Sequence, residues 1–308
     1  MKGTRSPSFP LSAGDRDLLA VVVSKVSPME NVGSRSEKPL QQWLHARARN
    51  GFLTWADELE AARCFELAVR EVEAVALGCE LLPLRYQRNA NCLDAQQQLR
   101  LLQSSVAVVG CGGLGGYLVE TLSRLGVGKL TVIDPDRFEE HNLNRQLFCS
   151  LDGLGAPKVE IARQRVAVVN PAVELVPVQE AFSEHSGERL LGGHDAVADA
   201  LDNISLRLAL GDLCTRLGIP LVHGSIGGFF GQVTVQLPGS DSLKKIFGEK
   251  GGEEGIEATL GNPSFTPGVV ACIEAAEVCK LLLGLGAPLT RRLLHIDLLA
   301  MKVMEAGL

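Results

Sequence analysis

The stretch from Ser105 to Leu125 constrains this chain more than any other. Ser105–Val109 (SVAVV) is a short, apolar, β-branched run, and Gly110-Cys111-Gly112-Gly113-Leu114-Gly115 follows it directly. A helical stretch comes next, over 117–125, and a second apolar run, KLTVID, over 129–134. Strand, glycine turn, helix and strand in that order specify a βαβ unit of a parallel sheet covered by helices. The glycines permit a tight turn and a close backbone approach to phosphate. The helix start then offers unpaired N–H groups to an anion. Asp134 ends the second strand, 24 residues after Gly110, where an acid can hold two ribose hydroxyls. A nucleotide site built on Gly110, Gly112, Gly113, Gly115 and Asp134 is the expectation.

Further apolar runs at Asp195–Ala200, Pro220–His223 and Phe229–Leu237 extend the sheet, and 291–305 (RRLLHIDLLAMKVME) is expected to close it. Residues 268–284 read as a helix. The fold class is therefore α/β: a doubly wound, mostly parallel, Rossmann-like sheet. Before it, residues 39–83 form a small helical module. Leu40, Trp43 and Leu44 share a face. Thr54 and Asp57 have the form of a capping box, and Val69, Val72, Val75 and Ala76 repeat at helical spacing before Gly78. Residues 1–38, rich in Ser, Pro and charge, are expected to be a flexible tail. The domain plan is thus 1–38, 39–83 and 84–308.

Charge and cysteine usage exclude several functions. The first 86 residues carry 11 basic and 11 acidic groups, and the rest carry 19 and 25, so no long basic patch exists for nucleic acid. Aromatic residues are only 5% of the chain, too few for a base-stacking surface. The apolar run Leu18–Ser24 is too short to span a bilayer, so no membrane association is expected. The eight scattered cysteines include no C-x-x-C pair and look like reduced thiols, so the chain is read as cytoplasmic.

The default for such a glycine loop is a nicotinamide dehydrogenase, but the segment after Asp134 argues otherwise. It reads DPDRFEEHNLNRQ over 134–146, then GAPK over 155–158, DAVADALDN over 195–203 and PLVHGSIGGFFG over 220–231. With the glycine loop, these motifs resemble the ubiquitin-activating-enzyme-like ThiF/MoeB/HesA adenylyltransferases, from about residue 84 to the end. The resemblance implies ATP-dependent adenylation of the C-terminal glycine of a ubiquitin-like sulfur carrier ending in Gly-Gly. The pathways implied are molybdenum or tungsten cofactor, thiamine or related sulfur-transfer biosynthesis.

It also implies roles for residues. Arg145 and Lys158 would hold phosphates, Asn142 would help orient them, and Gln146 and Asn203 would complete the nucleotide site. Asp134 would bind the ribose, and Asp202 would hold Mg²⁺ near the α-phosphate. Leu84-Arg85-Tyr86-Gln87-Arg88 is similar to the family's "RYxRQ" start, although Asn89 replaces the Gln. There Arg88 would reach the triphosphate of the opposite subunit, making the protein a homodimer.

Two departures matter. The zinc-binding cysteine pairs of many relatives are missing, so no structural zinc is expected, and Cys272 and Cys279 are read as core packing. The segment Gly239–Asn262, expected to be a mobile cover for the carrier tail, has no cysteine for covalent transfer. Cys111, Cys149 and Cys214 remain as other candidate nucleophiles, and His141 and His223 are read as polar neighbours of the site. The sulfur donor would be a separate protein. Two other readings stay open: adenylation of another C-terminal peptide, and a non-catalytic, nucleotide-binding dimeric scaffold.

Overall fold

The computed structural model describes residues 37–248 and 257–308. The expected tail lies outside the described residues, apart from its last two positions, which already belong to a helix. The elements run α1 (Glu37–Arg47), β1 (Phe52–Leu53), α2 (Trp55–Phe65), α3 (Val69–Gly78), β2 (Leu82–Pro83) and α4 (Ala95–Gln103). Then come β3 (Ser105–Val109), α5 (Gly113–Leu125), β4 (Lys129–Ile133), α6 (Lys158–Val169), β5 (Glu174–Val178), α7 (Glu184–Leu191), β6 (Ala196–Asp199) and α8 (Ile204–Leu217). The chain closes with β7 (Leu221–Gly227), β8 (Phe230–Gln236), α9 (Ser242–Phe247), α10 (Glu257–Leu260), α11 (Phe265–Leu283), β9 (Arg292–Asp297) and β10 (Lys302–Gly307).

The main sheet has the order β10-β9-β8-β7-β6-β3-β4-β5. The five strands from β5 to β7 pair in parallel, and β8, β9 and β10 are added antiparallel. Strands β3 and β6 are buried almost throughout, which suits their largely apolar sequences, and β7 is buried along its whole length although it carries His223 and Ser225. The connections place one apolar layer under α4, α5, α6 and α11 and a second under α7, α8 and α9. The order reverses between β3 and β6, so a crevice opens beyond the carboxyl ends of both strands.

The sheet differs from the expectation at two places. Strand β5 carries Pro177 and has an exposed start, so it lacks a continuous apolar pattern; as an edge strand it tolerates the missing N–H. The tail is two strands, since Asp297 accepts the amides of Leu299 and Ala300 and turns the chain into a hairpin.

Thr54 and Asp57 do cap α2 reciprocally. Helices α1 to α3 enclose their own small core around Leu40, Leu44, Leu53 and Val72. Arg85 ties this module to the segment before Arg88, pairing with Glu58 of α2 at 2.5 Å and Glu73 of α3 at 2.8 Å. Tyr86 is anchored in turn, its hydroxyl accepting from Asn170 Nδ2 at 2.7 Å. Its ring end lies against Gly126, which has φ of +85° and no room for a side chain.

Candidate active site

The crevice beyond β3 and β6 is a cleft of about 430 Å³. Its floor is the glycine loop. Gly110 has φ of +101°, and a Cβ there would lie 2.5 Å from the Ala200 carbonyl oxygen, so only glycine serves. Gly112 and Gly113 line the cleft at the start of α5, which has no side-chain cap. The first N–H groups of that helix are therefore available to an anion. Gly115 does not line the cleft. A Cβ at Gly115 would run into the carbonyl oxygen of Gly110, so its work is to let the helix start close against the strand.

Asp134, buried at the end of β4, accepts the amide of Cys111 at 2.6 Å and that of Asp136 at 2.8 Å. One carboxylate thus binds the glycine loop to the exit of β4. An ionised carboxylate has about four lone-pair sites, so two remain for ribose hydroxyls.

Arg145 and Lys158 face the same cleft. Lys158 begins α6 and is buried, its Nζ donating to Asp136 Oδ2 at 2.8 Å. With three donors and one engaged, it keeps two for phosphate oxygens. Arg145 Nη1 donates to His141 O at 3.1 Å and Asn144 Oδ1 at 2.9 Å, which aims the guanidinium while leaving other N–H groups free of those two bonds. Gln146 also lines the cleft and is buried, with an unpartnered Oε1. Asp202 is exposed on the opposite lip, in the turn between β6 and α8.

Three more expected residues, besides Gly115, lie off the cleft. Asn142 is buried behind the cleft lining, its Oδ1 accepting from the Glu139 amide at 3.0 Å. Asn203 caps α8 by accepting from Leu206 N at 2.9 Å. Arg88 is exposed, does not line the cleft, and forms no hydrogen bond or ion pair among the described residues.

Glycine cradle, two cations and a carboxylate fit a nucleoside triphosphate. Mg²⁺ on phosphates is commonly held by only one or two carboxylates. Asp202 suits that chemistry, and among the described residues no cluster of three or more His, Cys, Asp or Glu is poised to bind a metal by itself.

The candidate thiols do not suit a nucleophile's role. Burial and the nearby Asp134 carboxylate push the Cys111 thiol far up, and burial does the same to Cys214 and, less strongly, to Cys149. Cys272 is exposed, which corrects its reading as core, whereas Cys279 packs against the core. The covering segment holds α9 and α10, and its residues 249–256 lie outside the described residues. His141 is exposed, 3.3 Å from Glu139.

Other site residues escaped the sequence reading. Asp136 and Arg207, which lie within or beside the quoted motifs but were given no role, both line the cleft. Asp199, beneath it, is a charged residue inside an apolar strand run, a signal that was visible but silent about its contacts. Beside the cleft, a groove of about 330 Å³ is lined by Ile204, Ile246, Phe230 and Phe247, and it shares Arg207 and Ile226 with the cleft.

The ThiF family profile matches residues 86–308. The chain is 42% identical to the SAMP-activating enzyme E1 of Haloferax volcanii over 221 residues, covering 70% of this chain and 82% of that protein. It is 34% identical to the molybdopterin-synthase adenylyltransferase of Salmonella typhimurium over 235 residues, 73% and 92% of the two chains. Identity with the adenylyltransferase and sulfurtransferase MOCS3 of Sus scrofa is 37%, and there the match spans 49% of the longer protein. Among solved structures, E. coli MccB aligns with a TM-score of 0.64 at 20% identity, over 73% of this chain and 69% of that one, a likeness of fold alone.

Proposed function

The chain belongs to the ThiF family, and from that premise we propose that it adenylates the C-terminal glycine of a ubiquitin-like sulfur-carrier protein ending in Gly-Gly. It is an ATP-dependent adenylyltransferase. The observation that carries the choice of substrate is the apolar groove that meets the nucleotide cleft at Arg207 and Ile226. A flexible peptide tail threaded there brings its end beside the phosphates. A relative from Thermus thermophilus, 36% identical over 210 residues and named a sulfur carrier protein adenylyltransferase, supports the carrier class.

The chemistry needs no general base, because the attacking carboxylate is already ionised. One carboxylate oxygen bonds to the α-phosphorus, and the bond from that phosphorus to pyrophosphate breaks. The barrier is charge: two anions meet, and charge moves onto the leaving pyrophosphate. Lys158 and Arg145, preset by Asp136 and Asn144, offset it without reorganising. The first amides of α5 add aligned dipoles. Mg²⁺ held at Asp202 would supply further charge stabilisation at the α-phosphate. Asp134 and the glycine loop orient the nucleoside end.

Arg88, exposed and without a partner among the described residues, reaches the triphosphate of a second copy in this reading, so the enzyme works as a homodimer. Residues 84–308 form the catalytic domain, and 39–83 serve as a bracket for the Arg88 segment. The pathway is molybdenum or tungsten cofactor, thiamine or related sulfur transfer.

The test is ATP–pyrophosphate exchange with a Gly-Gly-ending carrier, and with the same carrier lacking its last glycine. Exchange with the first alone is expected. Equal exchange with both would overturn the tail-directed reading.

A further inference from the structure

The Asp202 turn is held from below. Asp199, the last residue of β6, is fully buried, and its Oδ1 accepts the backbone amide of Leu201 at 3.0 Å. The other end of Leu201 is held by Arg207, whose Nε donates to the Leu201 carbonyl at 3.0 Å while Nη2 donates to the same oxygen. Both polar groups of the residue before Asp202 are thus fastened to buried charges, and Arg207 and Asp199 lie 3.8 Å apart. His223, on the neighbouring strand β7, closes the arrangement: its Nδ1 is 2.6 Å from Asp199 Oδ2, and it is fully buried. Burial lowers its pKa, so the ring is neutral and Nδ1–H donates to Asp199.

Buried charge is expensive unless it is paired and hydrogen-bonded, as Asp199 and Arg207 are here. Glu274 of α11 approaches Gly224 from its side of the sheet with both oxygens unpartnered. Burial first, and the Asp199 charge second, raise its pKa well above the ordinary value, with Arg207 opposing. Asp199 faces Arg207 on one side and His223 on the other, so the direction of its carboxylate depends on His223.

We propose that Asp199 and His223 are positioning residues for adenylation, forming with Arg207 a buried clamp on Leu201 that sets the direction of the Asp202 carboxylate. This rests on the adenylation reading. A small misplacement of a catalytic group costs on the order of 10²-fold without weakening substrate binding. The clamp should therefore appear in kcat and not in KM for ATP.

The test compares wild type with His223→Leu and His223→Asn, in ATP–pyrophosphate exchange with a Gly-Gly-ending carrier. His223→Leu removes the donor to Asp199, and kcat should fall roughly tenfold or more with KM for ATP within about twofold. His223→Asn keeps an N–H near the Nδ1 position and should recover most of that loss. A folded His223→Leu variant with unchanged kcat, or an equal loss in both variants, would overturn the clamp. Amide hydrogen exchange in the wild-type protein decides the matter if neither variant folds. Leu201 should be strongly protected, and rapid exchange there would contradict the proposal. Wild type without carrier-dependent exchange would strike the adenylation reading instead, and Leu201 protection would still judge the clamp.

Discussion

Single side chains in this site divide between those that touch the cleft and those that hold others in place. Asp202 touches it from an exposed turn and supports no part of the core. Asp202→Ala should thus leave thermal stability within about 0.5 kcal/mol of wild type, as surface substitutions usually do. Its pyrophosphate exchange should fall about 10²-fold or more, by analogy with other lost transition-state contacts. Measured exchange at wild-type rate would remove Asp202 from the mechanism. Much of this was legible beforehand. Gly110, Gly112, Gly113, Asp134, Arg145, Gln146, Lys158 and Asp202 all face the one cleft. What stayed hidden depends on contacts between distant strands. Nothing in the run DAVADALDN tells whether Asp199 meets solvent or His223, 24 residues on.

Elements add a level of control that residues alone lack. The segment carrying Arg88 is pinned through Arg85 to Glu58 and Glu73 on two helices. Burial raises Glu58 to about 7, with Arg85 opposing, from an ordinary value of 4.5. A carboxyl raised in the folded state stabilises most below pH 4.5, and that contribution is lost as pH rises through about 7. Glu58→Gln has no proton to lose. The melting temperature of wild type minus that of the variant should therefore decline between pH 5 and pH 8; a constant difference would show that the pair does not titrate there. The capping box at Thr54 and the glycine loop were readable because each is a local pattern. Strand β5 was not, since Pro177 breaks its pattern and only its edge position makes it tolerable. The division of the tail into β9 and β10 rests on one aspartate turn.

At the scale of the whole molecule, the cleft is finished only by a second copy, in the reading offered for Arg88. Arg88→Ala and Lys158→Ala should each be inactive alone. Mixed after subunit exchange they should recover up to about a quarter of wild-type activity, because half of the dimers are mixed and each has one intact site of two. No recovery in a mixture shown to exchange subunits would sink the composite site. In the proposed function the sheet, the glycine cradle and the groove that joins the cleft serve a single event, transfer of AMP to a peptide's end. The most direct measurement of that event is intact mass. The protein is incubated with Mg·ATP and each Gly-Gly-ending ubiquitin-like carrier of the same organism, and the carriers are weighed. An AMP adduct on one carrier, absent when its last glycine is removed, is the predicted result. ATP bound in a separate titration with no adduct on any carrier would contradict it.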